Sequence, residues 1–385
     1  MTYNISLPFT KLTFSIGNTF CYIPMGKTYG AFLSLLLGTF IVILQVSNAT
    51  MMNRTAKPAI FIFGDSTADV GTNTLLPESK ARADFPYNGI DFLNSKPTGR
   101  FSNGFNSADF LSKLLGHDKS PQPWLLFLKT RSNMFSGINF ASGASGLLDT
   151  TGKDRNIISM SEQTKQFKSY YSILAYSKGQ EVANKLIAKS LIAISVGSND
   201  IFDYFKDRST VDPDVFINSL MSAYEFHINE LYDLGVRKFG IISVAPIGCC
   251  PSQRLYNATG GCLEIENTFA QIFYSSLYTL LHKLSSSLPD FKYSLANSYE
   301  MTINVINHPQ LFNLTSIDKA CCGEGLLNAE NGCNPKANLC SNRNNYLFWD
   351  LYHPTQYAYE LAAITIYNGG PQFVTPINFA QLVAY

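Results

Sequence analysis

Ser66, Asp350 and His353 are the residues of this chain whose types could together make a nucleophile. Ser66 closes the run Ala59-Ile60-Phe61-Ile62-Phe63-Gly64-Asp65-Ser66, where an apolar stretch stops at Gly-Asp-Ser. A buried strand that delivers a side chain at its carboxyl end has this form, and catalytic groups of open α/β sheets gather there. Taken alone, Gly64-Asp65-Ser66 equally describes a strand-to-helix turn with a helix N-cap. A serine nucleophile needs a base, and the five histidines are His117, His227, His282, His308 and His353. His227 and His282 fall inside amphipathic stretches, and His117 follows Leu114-Leu115-Gly116 at a helix end. His308 and His353 each precede a proline, which favours a loop. Only His353 has a carboxylate at a useful spacing, Asp350, whereas Val305 holds the matching place before His308. Residues three apart share one side of a turn. A carboxylate on Nδ1 fixes the imidazole tautomer and leaves Nε2 to take the serine proton. Without Ser66, the same pair would read as a surface turn with an incidental ion pair.

Acyl transfer also needs donors that strengthen as negative charge develops on the substrate oxygen. Asn199, in Gly197-Ser198-Asn199-Asp200, has an amide that donates without titrating. It could equally cap a helix. Gly104, in Gly99-Arg100-Phe101-Ser102-Asn103-Gly104, can offer a backbone N–H in a tight turn or simply make that turn. Spacing does not choose between the two.

These residues need a scaffold that brings distant segments together. Five strand candidates, 59–63, 137–141, 190–196, 238–244 and 292–296, alternate with helical segments. SLIAISV and KFGIISV are continuous apolar runs, as expected for strands covered on both faces of a parallel sheet. Residues 214–234 carry Val215, Phe216, Leu220, Tyr224, Ile228, Leu231 and Tyr232 at helical spacing, and Gly235 ends that helix. Residues 265–288 predict a second amphipathic helix with Leu277, Leu280, Leu281 and Leu284 on its buried side. The alternation implies a doubly wound α/β sheet with right-handed crossovers. Ser66, Asn199 and Pro246-Ile247-Gly248-Cys249 all follow strands, so loops far apart in sequence can converge.

Composition narrows the partners. The chain has 385 residues, 46% hydrophobic and 15% charged, with a formal net charge of +1, which argues against a nucleic-acid partner. Residues 31–46 (AFLSLLLGTFIVILQV) are uncharged and apolar, preceded by Lys27 and followed by Ser47-Asn48-Ala49. This reads as a secretory signal cleaved after Ala49, with Met25 as the true initiator, followed by one domain over 50–385. The competing reading is an uncleaved membrane anchor, but the apolar run is short for a span of about 20 residues, and no stable insertion is expected after cleavage. Seven cysteines lie beyond it, Cys249, Cys250, Cys262, Cys321, Cys322, Cys333 and Cys340. In an oxidising compartment they read as disulfides with one thiol left over. No histidine falls in the 321–340 cluster, so neither a zinc site nor any other metal or cofactor is expected. Sequons at Asn53, Asn257 and Asn313 are glycosylation candidates, while Asn48 would leave with the signal.

Together these motifs resemble a plant GDSL esterase/lipase of the SGNH hydrolase superfamily. The match runs in order through Phe63-Gly64-Asp65-Ser66 with Asp69 and Gly71, then Pro97 to Gly104, Asn139-Phe140-Ala141-Ser142-Gly143 and Gly197 to Asp200. It continues with Pro246 to Cys249 and Cys321-Cys322-Gly323, and closes with Phe348-Trp349-Asp350 to His353-Pro354. The resemblance implies a flavodoxin-like three-layer α/β/α fold with a mostly parallel five-stranded sheet. It implies Ser66 as nucleophile, His353 as base oriented by Asp350, and an oxyanion hole from the Ser66 N–H, the Gly104 N–H and the Asn199 amide. The implied activity is metal-free hydrolysis of small-molecule or lipid esters through an acyl-enzyme, in a secreted, extracellular or cell-wall protein. An acyltransferase with the same catalytic set is the alternative, and a non-catalytic secreted lipid- or glycan-binding protein is another. The chain departs from the family at Thr67, where leucine is usual, and at Ala144, where glycine is common, and it carries the additional Cys250.

Overall fold

The computed structural model describes residues 11–16, 19–24, 57–132, 134–206 and 209–385. The chain divides into Met1–Ala56 and Lys57–Tyr385. In the first unit Lys11–Ile16 (β1) and Thr19–Pro24 (β2) pair antiparallel. The apolar stretch 31–46, the cleavage point after Ala49, Met25 and Asn53 lie outside the described residues.

In the second unit Ile60–Gly64 (β3), Leu191–Ser195 (β4), Lys238–Ile242 (β5) and Lys292–Ala296 (β6) pair in parallel, each with the next. Alternate residues of these strands enter two different cores. Phe61, Phe63, Ile192, Ile194, Phe239 and Ile241 face one, and Ile60, Ile62, Leu191 and Ala193 face the other. With both faces apolar, the strands must be covered on both sides, hence the continuous hydrophobic runs. Each fully buried phenylalanine or isoleucine contributes about 1.5–3 kcal/mol.

The first face is covered by Trp124–Thr130, Met160–Lys178, Gln180–Lys189, Ser198–Lys206, Pro213–Asp233 and Glu264–Ser287. The second is covered by Ser107–Leu114, Ser298–Asn307, Gln356–Asn368 and Phe379–Ala384. With the short helix Pro251–Arg254, these are α1 to α11 in chain order. The two helices expected from periodicity are α6 and α8. Asp212 caps α6 with Pro213 at its first position, and Gly235 follows at φ +98°. Leu277, Leu280, Leu281 and Leu284 of α8 are all buried. Gly240 of β5 is needed for packing, because a Cβ there would lie 2.5 Å from the Phe379 ring.

The fifth strand of this sheet is Val374–Thr375, antiparallel to β6, not residues 137–141. Residues 137–141 do run beside the free edge of β3, where Ile62 N–H donates to Ile138 O and Phe140 N–H to Ile62 O. They stay irregular because Asn139 is shared: its own N–H donates to Gln122 O, and its side-chain amide donates to Ala68 O. Counting that segment, the parallel order places the second crossover on the far side of β3 from the first. β3 is therefore the switch point of the sheet, where doubly wound folds leave a crevice.

Candidate active site

Ser66 sits immediately beyond the switch-point strand. The chain turns at Gly64 (φ +135°), whose backbone passes so close to Ser195 that a Cβ would lie 1.9 Å from its carbonyl oxygen. Gln163 of α3 holds this turn from behind, accepting from Gly64 N–H and donating to Gly64 O, both at 2.9 Å. Asp65 accepts from the Thr67 N–H at 2.9 Å and the Thr67 hydroxyl at 2.8 Å. Thr67, a departure from the family pattern, thus locks the turn in a way leucine could not. Ser66 itself is 8% exposed and lines a cavity.

The base arrives from the far end of the chain. His353 Nε2 lies 2.8 Å from Ser66 Oγ, and His353 Nδ1 lies 2.8 and 2.9 Å from the two Asp350 oxygens. Asp350 also accepts from the Tyr352 and His353 N–H groups at 3.0 and 2.8 Å. Burial alone would push the Asp350 carboxyl up. The His353 charge, its ring N–H and the two backbone N–H groups outweigh that, and Asp350 ends below the ordinary carboxylate value. Phe101 packs against the His353 ring at 4.9 Å between centroids.

Two further buried aspartates shape the loops around Ser66. Asp69 accepts from the N–H groups of Gly71, Thr72 and Gly143 at 2.6–2.9 Å, joining the 69–73 loop to the 142–146 loop. Asp200 accepts from Leu147 N–H, Leu148 N–H and the Thr151 hydroxyl at 2.7–3.0 Å. Burial pushes both carboxyls up to about 6 despite these donors. Asp200 thereby ties the start of α5 to the same 142–151 segment. Beside it, Asn199 donates to Ser145 O at 3.0 Å, which fixes the amide and leaves one N–H free.

The expected donors do not all converge. Asn199 lines the cavity that contains Ser66 and His353. Gly104 does not: its N–H donates to Ser102 Oγ, and a Cβ there would lie 1.9 Å from Gln356 Oε1. The Phe101 to Phe105 stretch braces the histidine loop instead. Phe105 N–H donates to Gln356 Oε1, and Gln356 N–H donates to Asn103 Oδ1, both at 2.7 Å. Ala144 stands in the cavity wall where Gly104 was expected. Its φ of +67° turns its backbone into the left-handed region that favours glycine, and strain of about 1–3 kcal/mol at such a position is typical of functional loops. No described residue accepts from the Ala144 N–H or the Ser66 N–H. The signal in the sequence was the Ser142-Gly143 motif with alanine where glycine is common.

The cavity has a volume of about 1340 Å³ and a largely apolar wall that includes Phe85, Phe202, Ile247, Val305 and Leu347. Among the described residues three disulfides form, Cys249–Cys262, Cys321–Cys340 and Cys322–Cys333, with Cys333 in the cavity wall and Cys250 a buried free thiol. The 321–340 loop supports the histidine segment directly, since Cys321 N–H and Cys322 N–H donate to Phe348 O and Trp349 O. Of the sequons, Asn313 is exposed, whereas the Asn257 amide is occupied by Cys262 O at 3.0 Å.

Residues 60–366 match the family model for GDSL-like lipase/acylhydrolases. The chain is a member of that family. Among its relatives, GDSL esterase/lipase At5g55050 of Arabidopsis thaliana is 35% identical, over 85% of this chain and 90% of its own length. GDSL esterase/lipase At5g08460 of the same plant is 36% identical over 84% and 87%. GDSL esterase/lipase At1g71250 is 33% identical over 92% and 96%. The family model's match, 60–366, takes in both Ser66 and the histidine loop. Among the described residues no helix is long and apolar enough to cross a membrane.

Proposed function

We propose that this GDSL protein is a serine hydrolase of carboxylic esters, working through an acyl-enzyme on Ser66. The observation that carries this reading is the continuous chain from Ser66 Oγ through His353 to Asp350, at 2.8–2.9 Å throughout. His353 Nε2 takes the Ser66 proton as Oγ attacks the ester carbonyl. The carbonyl oxygen becomes an oxyanion held by the Ser66 N–H, the Ala144 N–H and the Asn199 amide. In this reading Ala144 takes the place first given to Gly104. His353 then returns the proton to the departing alcohol, leaving the acyl group on Ser66. Water, deprotonated by the same nitrogen, attacks the acyl-enzyme and releases the acid. The Asp350 carboxylate keeps the imidazole oriented and stabilises its cationic form in both steps.

The apolar cavity supports an acyl chain or other apolar group as part of the substrate. Three disulfides among the described residues support folding in an oxidising compartment, in keeping with secretion. Ser66→Ala tests the reading. Hydrolysis of p-nitrophenyl esters is expected to fall at least about 10⁴-fold with an unchanged melting temperature. Turnover that survives the substitution overturns the assignment.

A further inference from the structure

Glu266 is a carboxyl that the reaction at Ser66 does not use. It stands in the first turn of α8, is only 4% exposed, and lines the same cavity as Ser66 and His353. First-turn positions commonly hold exposed carboxylates that face the helix dipole. Glu264 already does so in solvent, accepting from the Asn267 amide at 3.3 Å. Glu266 points inward, and its buried Oε2 has no hydrogen-bond partner among the described residues. An unpaired polar oxygen at this depth costs about 1–3 kcal/mol, so a wall built only to hold an acyl chain would be better served by leucine.

Its place in the cavity follows from its neighbours. Cys250, which also lines the cavity, donates from its thiol to Tyr352 O at 3.6 Å. Burial first, and then the charges of Glu266 and Asp350, push that thiol up. Glu266 therefore shares one cavity wall with Cys250, whose thiol reaches the histidine loop, and lines the same cavity as Ser66 and His353.

We propose that Glu266 is a recognition site for a hydroxyl group on the ester substrate, on its acyl chain or its alcohol. A carboxyl accepts from a hydroxyl when ionised, and when protonated it can also donate, so this ligand suits both states. A site built around a polar group that must be paired discriminates strongly against the analogue that lacks the partner. This inference rests on the Ser66 reading and adds the substrate feature that Ser66 cannot select.

Two matched pairs of esters test it. On the acyl side, p-nitrophenyl laurate is compared with its ω-hydroxy counterpart; on the alcohol side, propyl laurate is compared with monolauroyl glycerol. In the wild type, kcat/KM is expected to favour the hydroxylated member of one pair by about tenfold or more. The arm that shows this tells which side of the substrate Glu266 reads. Glu266→Leu should bring that ratio to about one while plain laurate is still hydrolysed. Glu266→Gln, whose amide both donates and accepts, should keep the ratio within about threefold of wild type. A wild-type ratio near one in both arms overturns the inference, whether or not the leucine variant folds. So does a ratio that Glu266→Leu leaves unchanged, or one that Glu266→Gln abolishes as fully, since that would mean a charge is being read. Ser66→Ala run alongside separates the two readings. Turnover surviving there removes the Ser66 assignment, whereas a Ser66-dependent reaction with an unmoved ratio removes only the role of Glu266.

Discussion

Two sets of buried carboxylates belong to the segments that gather around Ser66, and their surroundings push them in opposite directions. Asp350, in the histidine loop, faces a group that can carry positive charge, and it is held below the ordinary carboxylate value. Asp69, in the loop that follows β3, and Asp200, in the first turn of α5 after β4, face only neutral N–H and hydroxyl donors, and burial pushes both up to about 6. Hydrogen bonds from neutral donors compensate part of the desolvation of a carboxylate; a neighbouring cation compensates more. The consequence is a division of labour within one residue type. Asp350 is suited to stabilise charge that appears on His353 during the reaction. Asp69 and Asp200 join loops, holding the 142–151 segment and with it Ala144 and Asn199.

That contrast is sharpest when each side is broken in turn. Asp350→Asn keeps the shape of the loop but presents an amide to Nδ1, and kcat is expected to drop about 10⁴-fold with little change in melting temperature. A loss of stability equal to that of an Asp69 or Asp200 variant would erase the distinction. Asp200→Ala leaves the Leu147 and Leu148 N–H groups and the Thr151 hydroxyl without their acceptor. A destabilisation of about 3–5 kcal/mol is expected in denaturant titration. A change below about 1 kcal/mol would mean that the 147–151 loop does not depend on Asp200. Asn199→Ala should lower kcat by about 10²–10³ with a smaller effect on KM, because the amide acts mainly in the transition state. An exposed asparagine replaced in the same way, Asn94→Ala, should leave both constants alone, and an equal loss in the two variants would contradict the oxyanion role.

The smallest effect expected is on the pH dependence of stability. Asp69 and Asp200 at about 6 and Glu266 at about 7 all lie above their ordinary values. Protonation of these groups therefore favours the folded state. Their contribution is complete below an unfolded carboxyl pKa of about 4 and is lost as pH rises through about 6 to 7. His227, which burial holds below its ordinary value, opposes this as pH falls through its folded pKa. Asp350, lowered in the fold, loses its contribution only in the acid range below about 4. With Asp65, which burial also raises, four raised carboxyls against one histidine predict a melting temperature that rises from about pH 8 to about pH 5.5. A steady fall over that range in a thermal-shift titration would contradict the assignment of these environments.

Much of this architecture is legible in the sequence. The four parallel strands announce themselves as runs apolar on both faces, and α6 and α8 by their periodicity. His353 stands out by its spacing to Asp350, a local relation that survives folding. Residues 137–141 have strand composition, yet Asn139 divides its hydrogen bonds between β3 and residue 122, a tertiary arrangement that composition does not encode. Gly104 and Ala144 show the same limit. A glycine in a turn can donate to a substrate or to its own turn, and here Ser102 Oγ takes the N–H. The residue that lines the cavity instead is an alanine at positive φ, which no residue-type rule selects. The disulfide pairs and the inward turn of Glu266 likewise depend on which loops meet in space.

The central claim is that Ser66 carries the acyl group, and covalent trapping tests it most directly. The intact protein is treated with a p-nitrophenyl alkylphosphonate, digested and mapped by mass spectrometry. The account predicts one adduct, on the peptide containing Ser66, formed in step with loss of esterase activity and absent in Ser66→Ala. An adduct on another residue that accompanies inactivation, or full esterase activity in Ser66→Ala, would contradict it.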